Sequence, residues 1–495
     1  MKILFFVGRW LRRLAITAAI AVVTLLVARA WQSRRLPDLK PWHRIVLRSE
    51  AHARDLGPQT TLADYLAREE RVFGELRERV YDALPPAERV KTSRYTSGGE
   101  LDPRTFTYDW NRTFQMEPAA TEELRGGVLL VHGLTDAPYS MRAAGEVLRR
   151  QGFYALGLRM PGHGTVPAAL TDVEWEDWMA AVRLGVRAVR ARIGPGKPLV
   201  LVGYSNGGAL VLKYSLDALS DASLPRADRM LLLSPMIGVS RFAVLARLIS
   251  RLGVFPYFEK ARWIDVLPEY IPFKYNSFPA NAGFQTYRVT TAIQKEIDRA
   301  SRTGLLRELP PILAFQSVED ATVSTSALVA GLFDRLEPNG SELVLFDLNR
   351  AEGIEPFLKA PPSASLAELV APGAHPFRFT VVSNTTVLAA EVQAVTREAG
   401  GTATTTRALE NQRWPQTVFS LSHVALPFPL SDPLYGLFPD LRESFGVRLG
   451  LMVPRGERNV LLLAPEASTR LYSNPFFPYI EQRLGEWVGA GRPPG

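Results

Sequence analysis

The chain of 495 residues contains no cysteine. This absence excludes disulfide bonds, a thiolate nucleophile and thiolate-bound metal centres, and it leaves the redox compartment open. The sequence also lacks a P-loop, a glycine-rich dinucleotide fingerprint and a His-Glu-x-x-His zinc motif, and its six histidines are scattered. We therefore expect chemistry that needs neither a metal ion nor an organic cofactor.

Acidic residues are absent from the first 35 positions, and this absence explains most of the charge of the protein. The formal net charge is +8 at pH 7, and the seven basic residues between Lys2 and Arg35 account for all but +1 of it. A nucleic-acid-binding surface needs basic residues concentrated on a folded face. The near-neutral remainder therefore argues against a nucleic-acid partner.

The same N-terminal segment carries a long apolar run. As a helix, residues 14–28 would be about 22 Å long and the stretch from Trp10 to Trp31 about 33 Å, which is close to the thickness of a bilayer core. Residues 1–35 are predicted to form a membrane anchor, with tryptophans at both interfaces. A cleavable signal peptide is the alternative, because Ala28-Arg29-Ala30 fits a small-x-small cleavage site. In either case the segment resembles a bacterial export signal, so the folded part is expected on the periplasmic side of a bacterial inner membrane, anchored there or exported.

From Gly126 onward, short apolar runs alternate with helix-length amphipathic segments. This alternation predicts βαβ units around a mostly parallel sheet that is buried on both faces, which is an α/β fold. The predicted strands are 127–132, 153–160, 198–205, 229–236 and 312–317, and the predicted helices lie near 139–150, 175–193 and 207–219.

About 70 residues separate the strand that ends at Met236 from the one that starts at Pro311, far more than a crossover helix requires. Residues 238–309 are therefore predicted to be an inserted lid. Aromatic residues make up 11 of the 50 positions in 241–290, against 10% of the whole chain. Such a segment suits the roof of an apolar pocket, although the rings would also serve simply to pack the lid onto the sheet.

The remaining sections complete the predicted organisation. A leading section, 36–125, should hold a helix over 61–84 and early strands at 94–98 and 107–116. The core is assigned to 126–237 and 310–495, with a second insertion at about 349–412.

The pentapeptide Gly203-Tyr204-Ser205-Asn206-Gly207 lies between an apolar run and a helix-like segment. This context predicts a nucleophile elbow, in which a serine occupies a strained strand-to-helix turn and flanking glycines avoid a collision of Cβ atoms with the backbone. Ser205 is therefore the candidate nucleophile. The competing interpretation is an ordinary glycine-rich turn.

A serine hydroxyl needs a histidine to accept its proton, and after an elbow serine the acid and then the histidine follow along the chain. Two histidines lie downstream of Ser205. His423 follows residues 416–421, Gln-Thr-Val-Phe-Ser-Leu, which are predicted to be the last core strand, and it is the preferred base. His375 lies in a Pro/Gly-rich loop inside the predicted insertion and is the alternative.

The histidine in turn needs a carboxylate to orient it. Asp320 is the preferred acid because it stands in the loop just beyond the predicted strand 312–317. Glu319 and Asp347 are the alternatives, the latter after the apolar run 342–346.

Backbone amides must stabilise the oxyanion that forms during acyl transfer. The amide of Asn206 directly follows the nucleophile at the start of a helix, and the amide of Leu134 lies in the loop after the first long parallel strand. These two groups are predicted to form the oxyanion hole. His132 and His163 are interpreted as structural residues of the neighbouring loops.

In this order, the motifs resemble those of the α/β-hydrolases of the monoacylglycerol lipase and serine aminopeptidase-like group, which includes bacterial carboxylesterases. The resemblance covers 126–323, the region around His423 and the end of the chain near 475–488. It rests on His132-Gly133-Leu134-Thr135-Asp136-Ala137-Pro138, Ser140-Met141-Arg142, Met160-Pro161-Gly162-His163-Gly164, Trp175-Glu176-Asp177-Trp178, Gly203-Tyr204-Ser205-Asn206-Gly207-Gly208, Asp320 and Ser422-His423.

The resemblance implies an α/β-hydrolase fold whose lid shapes an acyl pocket, and hydrolysis of carboxylic esters through an acyl-enzyme. The expected partners are an acyl glycerol, a lysolipid or another small acyl ester, and a membrane reached through the N-terminal segment. A peptidase or amidase of the same fold is one alternative, and a non-catalytic membrane-tethered binding protein is another.

Overall fold

The structure, a computed structural model, describes residues 35–238, 256–320, 323–353, 375–452 and 469–489, together with part of the segment 10–31. The described residues of 10–31 are helical, and their side chains are exposed. Across the described ranges, no helix is both long enough and apolar enough to cross a bilayer. The predicted N-terminal anchor falls partly outside the described residues.

A ten-stranded sheet forms the centre of the molecule. In chain order the strands are β1 Phe114–Met116, β2 Gly126–Val131, β3 Phe153–Leu158, β4 Leu199–Tyr204, β5 Arg229–Leu233, β6 Trp263–Asp265, β7 Phe278–Pro279, β8 Ile312–Ser317, β9 Glu342–Phe346, β10 Arg378–Asn384, β11 Glu391–Arg397 and β12 Thr404–Arg413, of which β6 and β7 form a separate pair. The strand order in the main sheet is β1-β3-β2-β4-β5-β8-β9-β10-β11-β12. In this order, the seven neighbouring strands that begin with β3 and end with β10 run parallel, whereas β1 at one edge and β11 and β12 at the other are antiparallel to their neighbours.

Helices cover both faces of this sheet. They are α1 Leu62–Leu76, α2 Arg142–Arg150, α3 Trp175–Ile193, α4 Asn206–Ser220, α5 Ala280–Thr303, α6 Thr325–Gly331 and α7 Phe477–Gly489. Along β2, Leu129 and Val131 join the core beneath α3, α4 and α5, whereas Val128 and Leu130 join the core beneath α2 and α7. Burial on both faces explains why the predicted strands are apolar throughout instead of alternating.

Local signals begin and end several helices. At the start of α1, the Thr61 side chain accepts from the Asp64 amide while the Asp64 carboxylate accepts from Thr61, which is a capping box. Gly304, with φ +70°, ends α5 in the left-handed region that glycine adopts without strain. In the leading section, where a helix over 61–84 was expected, α1 is followed by a wider π-helical turn over Arg77–Asp82.

The α/β prediction is confirmed, and two of its elements need correction. Residues 416–421 form an irregular loop instead of the last core strand, because Pro415 lacks an N–H and Thr417 has φ +69°, outside the extended region. The last parallel strand is β10, which lies inside the predicted insertion 349–412 and pairs with β9. The sheet therefore continues through that segment, of which residues 354–374 lie outside the described part.

Two further expectations concern the leading section and the lid. Residues 94–98 form turns instead of a strand, and only Phe114–Met116 of the predicted strand 107–116 pairs in the sheet. The described part of 238–309 contains a 3-10 helical segment at Pro256–Arg262, the β6–β7 pair and α5. Residues 239–255 lie outside the described part, so the lid stays a prediction.

Candidate active site

Ser205 lies at the turn between β4 and α4, at the carboxyl edge of the sheet. Its backbone has φ 53° and ψ −117°, a conformation that costs a non-glycine residue about 1–3 kcal/mol. The turn is held from the neighbouring strand, since the Ser205 amide donates to Leu233 O at 2.9 Å and its carbonyl accepts from the Met236 amide at 3.0 Å. The strained geometry is therefore imposed by the sheet.

The glycines around Ser205 are required by close backbone contacts. A Cβ at Gly203 would lie 2.5 Å from the carbonyl oxygen of Gly207, and a Cβ at Gly207 would lie 2.1 Å from the carbonyl oxygen of Val131. Neither position has room for a side chain. The spacing Gly-x-Ser-x-Gly thus follows from the packing of α4 against β2 and β4.

Asp320, in the loop after β8, and His423 lie next to each other at the same edge. His423 Nδ1 is 3.7 Å from Asp320 Oδ1, and the side chains are 13% and 1% exposed. The carboxylate is held in place by three donors. Oδ2 accepts from Ser234 Oγ at 3.3 Å and from Gln316 Nε2 at 3.1 Å, and Oδ1 accepts from the Val323 amide at 2.9 Å.

The alternative acids and base are placed differently. Asp347 is paired with Arg350 Nε at 3.0 Å, and Glu319 is exposed. His375 precedes β10 and so lies at the amino edge of the parallel strands, opposite Ser205, where its Nδ1 is 3.3 Å from Asp334.

The electrostatic environment keeps His423 neutral. Burial, together with the positive charges of Lys274 and Arg470, lowers the pKa of His423 to about 3. A neutral imidazole can accept a proton at pH 7. The His423 ring stacks near Tyr204, with centroids 6.5 Å apart. In the described part of the chain no hydrogen bond joins it to the Ser205 hydroxyl, and in many enzymes such bonds tighten only when substrate is bound.

The amides of Leu134 and Asn206 lie on the two loops that meet at Ser205. Within the described ranges, neither amide donates a backbone hydrogen bond. The Asn206 amide opens the 15-residue helix α4, whose N-terminus favours negative charge. The Leu134 loop includes Thr135 at φ +64°.

The segment around Lys274 and helix α5 hold these loops from the other side. The Tyr275 amide donates to Thr135 O at 2.8 Å, and Lys274 Nζ lies 3.1 Å from Asp136 Oδ1. On α5, Thr286 Oγ1 donates to Asn206 Oδ1 at 3.2 Å. Part of the predicted lid therefore packs directly on the candidate oxyanion loops.

His132 and His163 are buried beneath these loops, with ring centroids 5.0 Å apart. His132 Nδ1 lies 2.9 Å from Gly133 O and its Nε2 accepts from the Met160 amide at 3.1 Å, so both ring nitrogens are engaged by backbone. Burial lowers the pKa of both rings, that of His163 to about 4. His132 and His163 are therefore placed as structural residues that support the loops.

Sequence reasoning missed Ser234, Gln316 and Lys274. The first two carry a weak signal, since polar residues are unusual within or directly after fully buried apolar strands. Lys274 carries none, because only the fold brings it to Asp136. Among the described residues, no group of three or more His, Asp or Glu side chains could hold a metal ion.

A parallel sheet flanked by helices on both faces, with a serine on a strained turn after β4, defines an α/β-hydrolase. Residues 122–347 match the family model described as "Serine aminopeptidase, S33". This match confirms the resemblance, found in the sequence, to the α/β-hydrolases of the monoacylglycerol lipase and serine aminopeptidase-like group.

Individual relatives also match parts of the chain. A thermostable monoacylglycerol lipase of Bacillus sp. (strain H-257) is 35% identical over 96 residues, which are 19% of this chain and 37% of that relative. The chain thus spans little more than a third of that curated relative. The crystal structure of Paleococcus ferrophilus monoacylglycerol lipase is 19% identical over 47% of this chain and 87% of its own, with a TM-score of 0.35. A soluble variant of Saccharomyces cerevisiae monoglyceride lipase is 14% identical over 47% and 81%, with a TM-score of 0.36.

Proposed function

We propose that the protein is a serine hydrolase that cleaves carboxylic esters through an acyl-enzyme. The observation that carries the proposal is the strained Ser205 turn at the carboxyl edge of the sheet, with the Asp320–His423 pair at the same edge. Such a turn costs folding free energy, and strain of this kind is retained at functional sites.

In this proposal Ser205 Oγ attacks the ester carbonyl carbon while His423 Nε2 accepts the hydroxyl proton. The amides of Leu134 and Asn206 donate to the oxyanion. The tetrahedral intermediate collapses when His423 returns the proton to the departing alcohol, which leaves the acyl group on Ser205. A water molecule then attacks the acyl-enzyme by the same steps, and the acid is released. Asp320, near Nδ1, holds the imidazole in the tautomer whose Nε2 is free.

For the substrate, we propose an acyl glycerol, a lysolipid or a related acyl ester. The support is the similarity to a monoacylglycerol lipase, together with the apolar N-terminal segment. We further propose that this segment carries the enzyme to the periplasmic face of a bacterial membrane, anchored there or exported.

The test is hydrolysis of p-nitrophenyl esters with acyl chains of increasing length by the full chain and by its Ser205→Ala variant, with labelling by a fluorophosphonate probe. The variant is expected to lose about 10³-fold or more of kcat and all labelling, without a change in thermal unfolding. Ser301→Ala, at an exposed position on α5, is the matched control and should behave as wild type. Full turnover in pure Ser205→Ala protein would refute the assignment.

Amide hydrolysis is the second candidate, because the matching family model is described as a serine aminopeptidase. Hydrolysis rates on matched ester and aminoacyl amide substrates, with leaving groups of the same size, distinguish the two candidate activities. Faster cleavage of the amides would replace the ester proposal. Absence of both turnover and probe labelling would point to a non-catalytic binding protein.

A further inference from the structure

A cleft of about 440 Å³ opens beside the Asp320–His423 pair. Its walls are formed by the loop 416–423 that carries His423, by residues 449–452 and by residues 469–472. The Ser422 hydroxyl donates to Leu471 O, so the third wall is tied to the residue that precedes His423. The cleft therefore leads directly to the candidate base.

Large, solvent-exposed apolar side chains line this cleft or lie next to its lining residues in the chain. Phe419 and Met452 line the cleft and are 42% and 43% exposed, while Phe438 and Leu451 adjoin lining residues and are 67% and 51% exposed. We refer to these four residues as the apolar rim. The segments of Phe438 and Leu451 are in contact, since a Cβ at Gly450 would lie 2.1 Å from Gly436 O.

An exposed apolar patch at the opening of a cleft marks an interaction surface more often than scattered single residues do. Elsewhere among the described residues of the folded body, Val46, Val90 and Ile264 are exposed one at a time, and Val387 with Leu388 form an exposed pair in the turn between β10 and β11. Burial of the apolar rim favours a partner whose own surface is apolar.

Positively charged side chains near the same cleft indicate the kind of partner. Arg470 lines the cleft and Arg448 precedes the Leu451 segment, and both side chains are exposed. No ion pair or side-chain hydrogen bond engages either guanidinium in the part of the chain that the structure describes. The opposing charge on the wall is the exposed Glu319, while Asp320 is buried against His423. Two cations that no described residue pairs, beside exposed apolar groups, suit anionic headgroups above acyl chains.

We propose that the apolar rim, with Arg448 and Arg470, is a docking surface for a lipid surface that contains anionic headgroups. The rim enters the acyl-chain boundary, and the arginines contact phosphate groups. The consequence for catalysis, that an acyl ester reaches His423 directly from the lipid phase, rests on the function proposed above. The docking itself does not depend on turnover.

The absence of cysteine allows a direct test in the full chain. Phe438→Cys carries a polarity-sensitive fluorophore, and Ala222→Cys carries the same label at an exposed position before β5, on the opposite edge of the sheet. Both proteins keep the N-terminal segment and the Ser205→Ala substitution. They are mixed with vesicles of phosphatidylcholine, alone or with an equal amount of phosphatidylglycerol, that contain lipids brominated on the acyl chains.

The label at position 438 is expected to shift to the blue and to be quenched, more strongly with phosphatidylglycerol, while the label at position 222 stays in water. Changing Arg448 and Arg470 together to Gln should remove the preference for phosphatidylglycerol. Equal quenching at both positions, or a blue-shifted label at position 438 before vesicles are added, would overturn the docking surface. The second result would mean that protein covers the rim.

A kinetic measurement separates this inference from the proposed function. The double change Phe438→Ser and Leu451→Ser should lower the rate on an ester embedded in vesicles by about tenfold and leave the rate on soluble p-nitrophenyl acetate unchanged. Equal loss on both substrates would contradict a docking role. Loss of the reaction on every ester in wild-type protein would contradict the function and leave the quenching result standing.

Discussion

The Gly207→Ala substitution tests how closely the candidate oxyanion loops are packed. The added Cβ would lie 2.1 Å from Val131 O and 2.6 Å from His132 O. Ordinary van der Waals contact begins near 3.4 Å, so the start of α4 and the end of β2 must separate by about 1 Å. Both atoms belong to rigid backbone, and rotation of a side chain cannot relieve the clash.

Two effects follow from that displacement. Overpacking of a well-packed interior destabilises a protein by about 1–3 kcal/mol. The displacement also moves the amide of Asn206 relative to the loop that carries Leu134. An error of about 1 Å in the position of catalytic groups costs on the order of 10²-fold in rate. We therefore expect a loss of about 100-fold in kcat/KM together with the loss in stability.

The assay combines ester hydrolysis with thermal or urea-induced unfolding. Gly74→Ala, within α1, is the matched control, because a Cβ there would meet nothing within 4 Å. That change should leave activity intact and stabilise the protein by about 0.5–1 kcal/mol, since alanine has the higher helix propensity. Wild-type activity and stability in Gly207→Ala would refute the argument from close packing.

Three further predictions concern charged groups. Gln316→Leu removes one hydrogen bond to the Asp320 carboxylate and should lower kcat/KM about ten- to a hundredfold, since hydrogen bonds to charged groups contribute about 1.5–3 kcal/mol. Because the pKa of His423 is lowered to about 3 and the base acts in its neutral form, the acid limb of kcat/KM should have its midpoint below pH 6.5. Arg470→Gln should move that midpoint upward. Arg159→Met leaves two buried glutamates without their cation and should cost about 3–5 kcal/mol in unfolding free energy.

Each prediction has its own contrary outcome. If Gln316 only packs the core, Gln316→Leu should lower thermal stability and leave the pH profile and kcat unchanged. An acid midpoint at or above pH 6.5, or one that Arg470→Gln leaves in place, would contradict the electrostatic account of His423. For Arg159, the control is Arg226→Met, which breaks an exposed pair with Glu308 and should cost less than about 1 kcal/mol. Equal losses of unfolding free energy in the two variants would show that burial does not decide how much an ion pair contributes to stability.

Long, strongly patterned elements could be predicted from the sequence because their signals are local. β8 and α3 have the bounds expected from their apolar runs and spacing, and α4 differs by one residue at each end. The last parallel strand was misplaced because 416–421 and β10 are both short segments that mix apolar and polar residues as a strand does. Only the pairing of β10 with β9 and the left-handed Thr417 distinguish them.

By itself, the sequence determined the α/β class and the Ser205 elbow, since burial on both faces of a sheet and the glycines of a tight turn are properties of neighbouring residues. It also narrowed the acid and base to a few side chains after the elbow. The tertiary structure alone decided that Asp320 lies beside His423, that Ser234 and Gln316 hold the carboxylate, and that His375 stands at the opposite edge. These placements depend on strand order and direction, which arise from hydrogen bonds between residues far apart in the chain.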